Sequence, residues 1–409
     1  MDPGRILLLI FDGLGDRPIT ALGHRTPLQA AATPNLDWFA ANGVTGQLDP
    51  IAPGIRPGSD TSHLALFGYD PTRVYTGRGP FEAAGVGIVV RQGDIAFRAN
   101  FCTVDAKLRV LDRRAGRIGE GTADLAKAID GLKVDGVAVQ FRAGTEHRGA
   151  LVLRGKGLSP KVSDTDPHAE GTAVLAAHAL AAEAKRTASA VNTLTKEVYR
   201  VLADHPVNRA RKRAGERPAN MIVLRGAGVV PKLPPIRERT GLRAVGIAGV
   251  ALIKGICRAV GMDTLDVPGA TGGLDTDMAA KAKAALAALR DYDMVVVNVK
   301  APDICGHDGK VHEKVRVIEK IDAMMRIMRD DLPGNVVLAA TADHSTPAEL
   351  GDHSGDPVPV MVYGPGVRVD PVAAFDETAV MAGGLGRIRG MDLVPILMSA
   401  SNRAEKFGA

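Results

Sequence analysis

Four short clusters in this sequence combine carboxylates, imidazoles and a hydroxyl: Asp12, the run Ser59-Asp60-Thr61-Ser62-His63, Asp303 with His307, and Asp343-His344 with His353. Oxygen and imidazole donors in such company suit divalent metal ions. Asp303 and His307 stand four residues apart, so they share one side if the chain there closes a helical turn. Asp343 and His344 leave the end of an apolar run in different directions and could serve one ion or two roles. His353 can fold back across a short loop as another ligand. Singly, each of these residues reads as a turn, a helix cap or a satisfied histidine. Together they place four of the chain's ten histidines beside carboxylates, which points to a metal centre.

Ser59 is the hydroxyl to weigh. It follows Gly58 where a helix is predicted to start, and there it would serve as an N-cap. The same place suits a nucleophile, because helix N–H groups and the helix dipole favour a phosphate anion and a developing alkoxide. A metal on the oxygen would lower its proton affinity without any Ser-His-Asp relay. The chemistry in view is metal-assisted phosphoryl transfer.

The elements that must position these groups follow from the apolar pattern. Ile6 to Phe11 is a continuous apolar run, the mark of a strand buried on both faces of a parallel sheet, with Asp12 at its C-terminal edge. Thr33 at N-cap and Pro34 at N1 open a helix. Strands are predicted over Asp293 to Val299 and Asn335 to Ala340, separated by a helix with Val315, Ile318, Ile321, Met325 and Met328 on one face. Between residues 76 and 219 the pattern changes to short strands (IAFRANFCTV, VAVQFRA, GALVLRG) among charged turns, then an Ala-rich helix from Thr172 to about Leu202. Arg217-Pro218 reads as a hinge, with a return to the first domain over Ala219 to Arg225. The expected organisation is a parallel α/β core from residues 1–75 and 220–409 with an α+β domain, 76–219, inserted between its halves.

Composition bounds the function. A net charge of +5 over 409 residues suits a small anionic substrate and not nucleic acid. The basic run Arg209 to Arg213 reads as a solvated face. Three scattered cysteines without a C-x-x-C pair fit a reducing cytoplasm, and no apolar run approaches the ~20 residues of a membrane helix.

The same residues carry a resemblance. FDGLGDRP, TPLQAAATPNLD, PGSDTSHLALFGYDP, YTGRGPFEAAGVG, HPVNRARKR, DICGHDGK, TADHSTP and HSGDPVPV run in order through nearly the whole chain. With them the sequence resembles the archaeal-type cofactor-independent phosphoglycerate mutases of the alkaline phosphatase superfamily. Ser62 stands where Ala is commoner, a mild departure. The resemblance implies an alkaline-phosphatase-like parallel-sheet core and a glycolytic and gluconeogenic isomerase. Ser59 would be phosphorylated during the exchange of 3-phosphoglycerate and 2-phosphoglycerate. It implies two divalent ions, manganese or magnesium with cobalt or zinc accepted by some members. Asp12, Ser59, Asp343 and His344 would hold one ion, and Asp303, His307 and His353 the other. His63 gets either a packing or a substrate-adjacent role. Arg98, His147, Arg148, Asp166, His168, Arg225 and Lys254 are the implied substrate-binding residues, most of them in the insertion. Two rivals stay open: another metal-dependent phosphomonoesterase or phosphotransferase acting on a small phosphorylated or phosphonate metabolite, and a metal-stabilised binding protein in which Ser59 is only a cap. Oligomeric state is not legible.

Overall fold

Ile6 to Phe11 are fully buried, and their strand, Arg5–Phe11, lies inside an eight-stranded sheet. The computed structural model describes residues 3–406 and 408. The chain forms two units, one made of the residues up to Val74 and from Leu233 onward, the other of Tyr75–Lys232.

In the first unit the strands run, edge to edge, Asp263–Leu265, Ala244–Ile247, Met294–Val299, Arg5–Phe11, Val336–Thr341, Val358–Tyr363, Val44–Asp49 and Gly386–Arg389. The first five are mutually parallel. Val358–Tyr363 runs against both its neighbours. Burial on both faces explains the unbroken apolar strands. Phe11 pairs with Val299 and Ile10 with Thr341, so three strands end side by side. Asp12, Lys300 and the Asp343 loop therefore leave the sheet at one edge, where open α/β sheets bind ligands.

Thr33 occupies the N-cap of helix Pro34–Ala41, but its side chain makes no capping bond. Asp322, buried on helix Val311–Asp331, accepts from the N–H groups of Asn35 and Leu36, both at 2.8 Å, and does that work from outside. On the same long helix Val317 is buried while Val315 is only half-buried.

The second unit holds a six-stranded sheet of order Val110–Asp112, Ile95–Val104, Arg148–Arg154, Val137–Ala143 and Lys133–Val134, with Met221–Gly228 also paired to Ile95–Val104. Phe97, Ala99 and Phe101 point into an apolar cluster with Leu194, Val198 and Leu202 of helix Lys185–Leu202. Ala96 lies on the opposite face, packed with Ala83 and Ile88.

Three expectations change here. The ANMIVLR segment does not re-enter the core: it forms strand Met221–Gly228, antiparallel to Ile95–Val104. Pro218 likewise lies inside the second unit, its carbonyl accepting from Thr103 Oγ1 at 2.7 Å. The Ala-rich helix starts at Lys185, not Thr172, because the preceding residues spend their backbone groups on neighbours: Ala173 bridges Arg109 and Ala179 bridges Val162. Tertiary pairing overrides the alanines' helix propensity.

Candidate active site

Helix Ser59–Leu66 begins at Ser59 itself, with Gly58 at the N-cap donating its N–H to Thr61 Oγ1. The Ser59 hydroxyl is thus not a cap, and is left to face the sheet edge. It lies 3.1 Å from His344 Nε2 and 3.4 Å from Lys300 Nζ. Asp303 and His307 sit one turn apart on helix Ala301–His307, as their spacing predicts. The turn after Asp12 is tight. Gly13 has φ +67°, and a Cβ there would lie 2.6 Å from Asp303 Cα, so glycine is needed while its N–H donates to Asp343 Oδ1 at 3.1 Å.

The hydrogen bonds fix the state of each imidazole. His307 Nδ1–H donates to the Gly351 carbonyl (3.0 Å) and His353 Nδ1–H to the Pro57 carbonyl (2.7 Å). That turns both Nε2 atoms toward each other, at 3.2 Å, with Asp303 Oδ1 at 3.5 and 3.4 Å. Two imidazole nitrogens and a carboxylate converging on one point are a donor set that fits a cation. Thr346 spends its hydroxyl proton on Asp303 Oδ1 (2.8 Å), so it accepts from His344 Nδ1–H (3.1 Å), and His344 Nε2 is bare. Asp12, Asp343 and His344 form a second convergent group, with His344 Nε2 3.6 Å from Asp12 and 3.3 Å from Asp343. The described residues therefore include groups able to hold a metal ion. Asp352 also lies near His307 and His353, but its carboxylate pairs with Arg56.

Electrostatics agree with that donor set. Burial and the neighbouring Asp343 carboxylate push the Asp12 carboxyl up. Burial also works against charge on Asp343 and Asp303, but the His63 hydrogen bond and Lys300 at the first, and Lys300 and the His353 hydrogen bond at the second, hold both below the usual range. Burial drives the His344 imidazole down to about 3, which keeps it a neutral donor. His63 is no part of the donor set: its Nδ1–H donates to the Ser59 carbonyl at 2.7 Å and its Nε2 accepts from Asn298 Nδ2 at 3.2 Å. It packs the helix and fixes the turn that carries Ser59.

Comparison with known proteins decides the family. The chain is 51% identical to the 2,3-bisphosphoglycerate-independent phosphoglycerate mutase 1 of Methanothermobacter thermautotrophicus over 98% of this chain and 99% of that one. The chain belongs to the 2,3-bisphosphoglycerate-independent phosphoglycerate mutase family. The model of that family matches residues 40–208, and a namesake from Methanocaldococcus jannaschii is 49% identical over 100% of both chains. A protein from Pyrococcus horikoshii shares the fold with TM-score 0.87 at 40% identity over 100% of both chains. The cofactor-independent phosphoglycerate mutase of Thermoplasma acidophilum does so with TM-score 0.69 at 39% identity, over 97% of this chain and 100% of that one.

In this family member the second unit gathers six of the seven residues expected to bind substrate. Arg98 and Arg225 pair across neighbouring strands, and Asn100 on the same strand as Arg98 pairs with Arg148. Arg98 is only 8% exposed, and burial together with Arg78 pulls its guanidinium well down from the ordinary arginine range. Its partner is Glu82 (3.5 Å), a buried carboxylate that also takes Arg78 Nε at 3.0 Å. Arg225 Nε and His147 Nδ1 are buried without hydrogen-bond partners, Glu146 lying 3.8 Å from the latter. Burial and Arg148 push the His147 imidazole down to about 3. Asp166 takes Arg113 at 3.0 Å and the His168 N–H at 2.9 Å. Lys254 belongs to the first unit, where it pairs with Asp266. Sequence reading missed Lys300, Asn298 and Thr346 in the first unit, and Arg78, Glu82 and Arg113 in the second. Asn298 in the otherwise apolar VVVNV, and Arg78 four residues before a buried glutamate, were the available signals.

Proposed function

We propose that this chain interconverts 3-phosphoglycerate and 2-phosphoglycerate through a phosphoserine on Ser59. The observation that carries this is the Ser59 hydroxyl at the start of a helix, 3.1 Å from His344 Nε2, which itself lies 3.6, 3.9 and 3.3 Å from Asp12, Asp303 and Asp343. Two divalent ions, manganese or magnesium with cobalt or zinc as substitutes, would be held by Asp12, Ser59, Asp343 and His344 and by Asp303, His307 and His353. When bound, such ions supply Lewis-acid stabilisation of the phosphoryl oxygens and of the serine alkoxide. The chain's own parts do the rest. Ser59 Oγ attacks phosphorus as the bond to the glycerate oxygen breaks, and the helix N-terminus faces the charge that develops. His63 and Asn298 hold the Ser59 turn. The glycerate then takes the phosphoryl group back on its other hydroxyl, which regenerates Ser59 and needs no bisphosphoglycerate.

The first unit would be the metal-binding phosphatase-like core and the second the substrate-binding insertion. There the arginines suit a carboxylate or phosphate through planar bidentate bonds. The test is incubation of the manganese-loaded protein with 3-phosphoglycerate, assaying both 2-phosphoglycerate and free phosphate. Formation of 2-phosphoglycerate with little phosphate supports the mutase. Free phosphate alone would make the chain a phosphomonoesterase.

A further inference from the structure

Lys300 has no part in the ligand set just given, yet its ammonium sits at the centre of it. Nζ lies 2.7 Å from Asp12 Oδ1 and 2.7 Å from Asp303 Oδ2, one carboxylate from each proposed ion site. Its third direction faces Ser59 Oγ at 3.4 Å. The proton count closes. The Ser59 hydroxyl donates to His344 Nε2, whose Nδ1–H is spent on Thr346, so the serine oxygen is free to accept from Lys300. Among the contacts of these crowded carboxylates, the Lys300 ammonium alone bridges Asp12 and Asp303 at ion-pair distance. Its side chain is 19% exposed, which leaves it a way out toward solvent.

We propose that Lys300 is the resident counter-cation of the ion-free site, a side chain that bridges the two half-sites and is displaced when metal enters. Metal loading is then an exchange of cations and not the filling of a void. At Asp12 the ammonium takes Oδ1, the oxygen that also faces His344 Nε2, while at Asp303 it takes Oδ2 and the imidazoles face Oδ1; an ion drawn to these carboxylates would meet a like charge only a few ångströms away. The bridge holds Asp12 and Asp303 in place before any ion arrives, and its release leaves a cation beside Ser59. This inference rests on the two-ion reading of the site, and its test is chosen to separate the two.

The experiment is calorimetric titration of chelator-stripped protein with manganese, comparing wild type with Lys300→Met and Lys300→Gln. The neutral variants are expected to bind manganese roughly tenfold more tightly, the factor matching the loss of charge-assisted bonds to the displaced ammonium. Their ion-free forms should melt lower than wild type, and the gap should narrow once manganese is saturating. Unchanged or weaker binding in both variants overturns the inference while leaving the ion sites standing. No manganese binding by wild type would sink the two-ion reading itself. A readout on the unaltered chain guards against variants that fail to fold: amine acylation mapped by mass spectrometry should modify Lys300 faster with manganese than with chelator. Equal rates in the two states would contradict displacement.

Discussion

The two units gather their charged side chains in opposite ways. In the first, short carboxylates and imidazoles sit immediately beyond the ends of parallel strands, so the backbone register of Phe11 with Val299 and Ile10 with Thr341 brings Asp12, Asp303, Asp343 and His344 together. In the second, long guanidinium side chains stand on an antiparallel sheet: Arg98 is held by a buried carboxylate, Glu82, while Arg225 is opposite Arg98 and Arg148 opposite Asn100 on neighbouring strands. The first arrangement is fixed by topology. The second depends on side-chain partners, because an arginine carries several rotatable bonds that only a neighbour can hold still. Disturbing the first should therefore abolish chemistry, and disturbing the second should loosen substrate.

The largest effect expected is in the first unit. Ser59→Ala should lower turnover by several orders of magnitude, because the covalent step is lost. The hydroxyl caps nothing, so thermal unfolding should show a stability change within about 1 kcal/mol. Appreciable mutase activity in that variant would remove Ser59 as nucleophile. Next in size, His353→Ala deletes one of two imidazoles converging on Asp303. Its manganese affinity, read by titration, should fall by about 100-fold or more. Retention of wild-type affinity would show that the paired imidazoles hold no ion.

Substitutions in the second unit should act differently. Glu82→Gln removes the charge that holds Arg78 and Arg98, and KM for 3-phosphoglycerate should rise about tenfold with a smaller loss in kcat. A fall in kcat alone, with KM unchanged, would contradict a binding role. The smallest effect is a change in partition. Arg148→Ala should raise the ratio of free phosphate to 2-phosphoglycerate a few-fold, on the order of 1 kcal/mol, because glycerate escapes before it is rephosphorylated. Lys254→Ala, paired with Asp266 in the first unit, should leave that ratio unchanged. Equal ratios in Arg148→Ala and wild type would mean that Arg148 only tightens initial binding.

The contrast also explains what the sequence made legible. Acids and histidines at strand ends announce themselves, because an apolar run that stops at Asp12 or Asp343 leaves the side chain few other places to go. Lys300 did not, since a lysine after a strand reads as an ordinary solvated end until its contacts with Asp12 and Asp303 are seen. Glu82 and Arg113 escaped notice because their meaning lies in partners distant along the chain or across the sheet. The boundary of the insertion was misplaced for a related reason. ANMIVLR is apolar enough for either sheet, and only its pairing with Ile95–Val104 shows which one it joins. The helix at 172 failed where alanine propensity met backbone pairing to Arg109 and Val162. Local chemistry was readable, whereas choices between long-range partners were not.

The most direct test of the central claim is an acid quench of the manganese-loaded protein during turnover of 3-phosphoglycerate, followed by peptide mass spectrometry. The account predicts a phosphoryl group on Ser59, present in the quenched wild-type sample and absent from both Ser59→Ala and protein stripped of metal. Turnover to 2-phosphoglycerate in the wild type with no phosphate on Ser59, or with phosphate on another residue, would contradict it.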